Sequence, residues 1–129
     1  MSHWTASQAA AVAGRQEVQV VTRRPDGTLR PPTTIWIVQD DERVFVRSTN
    51  GRGAEWFRAA TAAGTGQILA GGHTFEVAFS EVSDVGDLAA VDRAYRDKYG
   101  HYASIVDHLE EVGPRSATLL VEPAGSLGP

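Results

Sequence analysis

Most connections between the β-forming runs of this chain are too short for repeated parallel crossover units, which points to a mostly antiparallel fold. Residues 17–22 (E-V-Q-V-V-T) alternate, Pro25-Asp26-Gly27 is a turn, and residues 33–39 (T-T-I-W-I-V-Q) are β-branched and apolar on both faces, as in a central strand. Asp40-Asp41-Glu42 leads at once into residues 44–48, and Gly71-Gly72 joins 67–70 to 74–82, a strong hairpin signal. A parallel crossover needs a dozen or more residues, usually helical, so repeated units of that kind have no room here.

The remaining segments carry the helical period. Thr5 or Ser7 is placed to cap a short helix over 8–13 that ends at Gly14. Residues 53–63 (G-A-E-W-F-R-A-A-T-A-A) read as a helix closed by Gly64. From Asp87 onward, Leu88, Val91, Tyr95, Tyr99 and Tyr102 step by three and four and form one stripe, divided at Gly100. Residues 116–122 (S-A-T-L-L-V-E) make the last strand. The order α-β-β-β-α-β-β-α-α-β predicts a mainly β, α+β domain: a six-stranded antiparallel barrel with helices packed outside it. One domain spans 1–129, with an N-terminal helix in 1–14, barrel core in 15–82, a helical segment over 87–112, and a tail over 123–129.

Composition narrows the function classes. A chain of 129 residues suits one domain that buries roughly two-thirds of its unfolded surface. With no cysteine, a disulfide, a zinc-thiolate site and a thiol nucleophile are excluded. The N-terminus lacks a basic leader, and no window reaches the roughly 18–20 apolar residues of a membrane span, so a cytoplasmic protein is expected. A net charge of −4 argues against non-specific nucleic-acid binding. The charge is uneven: residues 15–58 hold eight arginines against six acids, and 81–111 hold eight acids against three bases.

The basic half contains V-F-V-R-S-T-N-G-R-G-A-E-W-F at 44–57, a strand that breaks into a glycine loop and then a helix. Glycines let backbone amides converge, a helix N-terminus adds partial positive charge, and arginines add bidentate bonds. Arg47, Ser48, Thr49, Asn50, Gly51, Arg52 and Gly53 therefore form a candidate phosphate cradle, the alternative being a plain solvated turn. Tyr95 and Trp36 read as core and barrel wall. His101 and His108 lack further ligands for a metal site, and none is expected. No G-x-S-x-G appears and Ser48 has no evident base, which disfavours a hydrolase.

These stretches carry a family resemblance. The loop and helix, followed by G-Q-I-L-A-G-G-H-T-F-E-V, resemble the core of deazaflavin-dependent nitroreductases. L-R-P-P-T-T-I-W-I-V, Y-G-H-Y and T-L-L-V-E-P extend the likeness over nearly the whole chain. The layout is also similar to pyridoxamine-phosphate-oxidase-like flavoproteins. Residues 33–52 resemble T-T-I-W-x-V-x-D-D-x-R-V-F-V-R-S-x-x-G-R, the pattern of a small bacterial family known as domain of unknown function number 2255.

The resemblance implies a split barrel of the flavin-binding type. It implies a homodimer with FMN or a deazaflavin in a groove at the interface, and hydride transfer to a small organic molecule. By position, Arg30, Thr33 and Thr34 would lie beside the ring edge or ribityl chain. Ser48, Asn50, Gly51, Arg52 and Gly53 would surround the phosphate, and Trp56 would close the helix start. Tyr99 and Tyr102 would be proton donors. The histidine-proline pair common in deazaflavin enzymes is replaced by Ala54-Glu55, and the loop lysine is absent unless Arg52 replaces it. A non-enzymatic barrel that binds a phosphorylated metabolite or haem, or serves as an interaction scaffold, is the alternative.

Overall fold

The β-branched run at 33–39 bends at Trp36, and that bend closes the sheet. The computed structural model describes residues 3–124. Its strands are β1 (Val18–Thr22), β2 (Thr33–Ile35), β3 (Ile37–Asp40), β4 (Arg43–Arg47), β5 (Thr65–Ala70), β6 (His73–Glu81) and β7 (Thr118–Pro123). All pairings are antiparallel, in the order β2-β1-β5-β6-β7-β4-β3. The two ends of that order, β2 and β3, are separated in sequence by Trp36 alone. One bent run thus pairs with β1 on one side and β4 on the other. The expected six strands become seven because this run counts twice; the barrel is the same.

Turn and cap chemistry explains most boundaries. Helix α1 (Ala6–Ala13) starts with a capping box in which Thr5 and Gln8 exchange side-chain and backbone bonds. The β5–β6 hairpin turns on Gly71 and Gly72 at φ 58° and 83°, the left-handed pair that a two-residue turn requires. Helix α2 (Glu55–Ala63) ends on left-handed Gly64. It begins later than the sequence suggests, because residues Gly51–Gly53 form a separate 3-10 turn and Ala54 is extended. The helical segment is α3 (Val85–Tyr99), α4 (Ala103–Leu109) and α5 (Val112–Arg115), with Gly100 capping the first. The last strand runs on through Pro123, which the expected tail included; residues 125–129 of that tail lie outside the described residues.

Strand alternation sorts the side chains into two cores. Val44 and Val46 of β4 point into the barrel with Val20, Ile68, Val77 and Leu119, and α1, α2 and Trp4 pack against them. Phe45 points outward to a second cluster with Val38, Tyr95, Tyr99, Val106 and Leu109, under α3 and α4. Arg47 shares Phe45's face, so its side chain also lies under the helices, 0% exposed. It bonds Thr118 Oγ1 (2.8 Å), the Asp92 carboxylate (2.6 Å) and the Leu109 carbonyl (3.1 Å), and so joins β4 to β7, α3 and α4.

Removing one member of a buried ion pair costs about 3–5 kcal/mol. Arg115 also reaches Asp92 at 3.1 Å, which relieves part of the charge left behind. Arg47→Met is therefore expected to lose about 3 kcal/mol, the lower end of that range, read as a lowered urea midpoint. An unchanged midpoint would refute the structural role.

Candidate functional site at the barrel mouth

Where the bent strand, the loop after β4 and the α3–α4 layer meet, they leave a cavity of about 460 Å³, within the range of small-molecule sites. Its walls bring together six of the residues singled out in the sequence: Thr33, Thr34, Arg47, Thr49, Asn50 and Trp56. Glu17, Ile35, Trp36, Tyr95, Ile105 and Leu109 complete it. Threonine hydroxyls, one amide and the Glu17 carboxylate share the lining with aromatic rings, and the one guanidinium present is already neutralised by Asp92.

The rest of the expected cradle lies elsewhere. Arg52 points away from the cavity, donating to Glu81 at 2.7 Å and to the Ser116 carbonyl at 2.7 Å, with its guanidinium over the Phe57 ring. Glu81 accordingly holds the Arg52 guanidinium above its ordinary pKa. Gly51, at φ 71°, bonds its amide back to the Ser48 carbonyl, and Ser48 itself is buried with no partner for its hydroxyl. Gly53 ends the 3-10 turn and does not line the cavity. Arg30 stands in a neighbouring groove with Pro31, Pro32 and Thr33, paired to Glu55 at 3.3 Å.

The two candidate tyrosines differ sharply. The Tyr99 hydroxyl accepts from the Ile37 amide (3.2 Å) and donates to the Gln16 carbonyl (2.6 Å), while its ring stacks on Trp36 at 4.0 Å and 1°. Burial raises its pKa to about 12, so the phenol stays protonated. This side chain braces the bend on which the barrel closes. Tyr102 is partly exposed, its ring 5.4 Å from that of Trp36, and its hydroxyl accepts from Gln16 at 3.0 Å. Tyr95 is fully buried at the cavity, and its hydroxyl has no hydrogen-bond partner. Its helical spacing is that of any core aromatic, so the sequence offered no signal of this position.

His108 latches the loop to α4. Its Nε2 lies 2.7 Å from the Thr49 carbonyl and its Nδ1 3.1 Å from Glu111, so only the imidazolium donates to both. The Thr49 carbonyl first, and Glu111 second, hold its pKa above the ordinary 6.5. Among the described residues, no group of three or more His, Asp or Glu side chains stands together as a metal site. No helix described is long and apolar enough to cross a membrane.

Comparison with known proteins agrees with this architecture. A family model described as "Uncharacterized protein conserved in bacteria (DUF2255)" matches residues 8–121. No curated protein matches the sequence. Among solved structures, the F420-H2 dependent reductase FDR-A aligns at TM-score 0.63 and 16% identity, over 84% of this chain and 95% of that one. HutZ, the heme storage protein from Vibrio cholerae, aligns at 0.66 and 19%, over 88% and 84%. The conserved hypothetical protein Rv2991 from Mycobacterium tuberculosis aligns at 0.65 and 15%, over 95% and 80%. At these identities the likeness establishes the split-barrel fold.

Two outcomes test the side-chain roles. Tyr99→Phe leaves the Ile37 amide and the Gln16 carbonyl short of a partner, and is expected to cost about 1–3 kcal/mol of stability in urea titration. A neutral effect would free Tyr99 for another role. For His108, a raised folded pKa means that its contribution is complete below about 6.5 and fades as pH climbs through the folded value. Protection of the Ser48 and Gly51 amides, taken relative to the intrinsic exchange rate at each pH, should fall across that window, and in His108→Ala it should be low throughout. A His108 titration by NMR at or below the ordinary value would remove the latch.

Proposed function

The chain belongs to the DUF2255 family, and on that footing we propose that it is a ligand-binding split barrel whose cavity receives a flat, flavin-type ring. The observation that carries this reading is the cavity itself: aromatic walls from Trp36, Trp56 and Tyr95, with the Tyr95 hydroxyl buried and unpaired at its side. An unpaired buried hydroxyl costs free energy that a ligand acceptor would return. Thr33, Thr34, Thr49 and Asn50 would hold the polar edge of the ring.

The residues fit the ring better than they fit a phosphate at the loop, since Arg52 already serves Glu81 and a carbonyl. A bound flavin or deazaflavin would supply hydride transfer, and the chain's part is to orient the ring and exclude water. Tyr102, the accessible phenol beside Trp36, is the proton donor in this reading. Among the described residues the cavity is lined by hydroxyls, an amide and aromatic rings, groups that suit a flavin-type ring. Tyr102 and Ile105 leave apolar surface at the mouth, and a C₂ dimer covering it follows. Light scattering should then give two copies per particle at micromolar concentration.

Riboflavin, FMN and hemin titrated into the protein separate the readings by absorbance and tryptophan quenching. Riboflavin and FMN are expected to bind comparably. Tyr95→Phe should weaken riboflavin by about 2- to 12-fold, the equivalent of roughly 0.5–1.5 kcal/mol, while the ligand-free protein is no less stable. Absence of flavin binding, or a Soret band alone, would overturn the proposal.

A further inference from the structure

A second cleft, beside α2, is walled by guanidinium groups. Arg23, Arg24 and Arg30 come from the β1–β2 connection and Arg58 from α2, around a space of about 630 Å³. Ala59, Ala62 and Ala63 form its helical floor, short side chains that leave the space open.

The charge balance there is unusual for this protein. Elsewhere among the described residues most arginines meet carboxylates: Arg43 with Asp40 and Asp87, Arg47 and Arg115 with Asp92, Arg52 with Glu81, Arg96 with Asp107 and Glu110; Arg15 and Arg93 stand singly, outside any such cluster. In the cleft, Arg23 pairs with Glu76 and Arg30 with Glu55, whereas Arg24 and Arg58 have no carboxylate partner among the described residues. Like charges gathered in one concavity repel, and the arrangement is favourable once an anion enters.

The cleft is also organised. Arg24 Nη1 donates to the Leu29 carbonyl at 2.8 Å, which positions the guanidinium without neutralising it. Asp26 takes the amide and hydroxyl of Thr28 at 3.0 and 2.7 Å and holds the connection in shape. Arg30 Nε is buried with no partner. A net charge of −4 and basic groups confined to one concavity, in place of an extended basic face, fit a small anion and not a nucleic-acid backbone.

We propose that this cleft is a binding site for a diphosphate-sized oxyanion, held by Arg24, Arg30 and Arg58. None of these three arginines lines the barrel-mouth cavity, although Arg24 and Arg30 also border the groove that reaches Thr33 and Trp56. Guanidinium groups take such oxyanions through paired N–H donors.

Calorimetric titration with inorganic pyrophosphate, at ionic strength matched with sodium chloride, tests it. The parent is expected to bind, with affinity falling as salt rises. The exposed side chains Arg24 and Arg58 can be replaced without disturbing the core; Arg24→Ala/Arg58→Ala should weaken pyrophosphate at least about tenfold with Tm unchanged. Glu55→Gln, which removes the carboxylate competing for Arg30, should tighten it, and Arg93→Ala, on α3, should bind like the parent. No heat beyond that of sodium chloride, or equal affinity in the parent and the double variant, would overturn the site.

Discussion

A guanidinium with no exposure to solvent holds the two layers of this protein together. Arg47 sits on the outward face of β4 because strand alternation leaves it no choice, and the helices cover that face. Burying a charge there is tolerable only because Asp92, Thr118 and the Leu109 carbonyl satisfy it. In doing so Arg47 fixes where α3 and α4 lie over the barrel, and therefore the roof of the mouth cavity. The guanidinium stacks near the Tyr95 ring, 5.7 Å from its centroid, so the same interaction sets one cavity wall.

The second constraint is the bend at Trp36. A sheet closes when one strand serves both edges, and residues 33–40 do so by turning between β2 and β3. The C-terminal end of α3 braces that turn: Tyr99 engages the Ile37 amide, and Lys98 donates to the Ile37 carbonyl at 2.6 Å. Lys98 also reaches the carbonyls of Ala13 and Arg15, which ties the end of α1 to the same point. Closure, helix docking and cavity shape are thus one coupled arrangement. Tyr99 is engaged in it through its hydroxyl, whereas Tyr102, whose hydroxyl takes the Gln16 side chain, stands partly exposed.

The arginines divide by what already surrounds them. Arg47 is structural because it is enclosed, and Arg52 is occupied because Glu81 faces it across the turn. Arg24 and Arg58 keep their charge available in the cleft beside α2. The mouth cavity and the arginine cleft both border α2, at Trp56 and at Glu55, Arg58 and Ala59, and the groove holding Arg30 and Thr33 lies between them.

The antiparallel barrel was legible in the sequence because its determinants act over a few residues. Two-residue glycine turns, the Thr5–Gln8 capping box, the stop at Gly64 and the break at Gly100 are local matters of dihedral angle and backbone donors. Six cavity residues were legible too, since Thr33, Thr34, Arg47, Thr49, Asn50 and Trp56 lie in or beside the motif that marked them. The fate of each charge was not. Arg47 meets Asp92 45 positions away, and Arg52 meets Glu81 29 positions away, pairings that exist only once the sheet has closed. Tyr95 and Arg58 carry no local mark of the spaces they line. Local geometry determined the elements and their order; the tertiary structure alone decided which polar groups are satisfied and which remain free to bind.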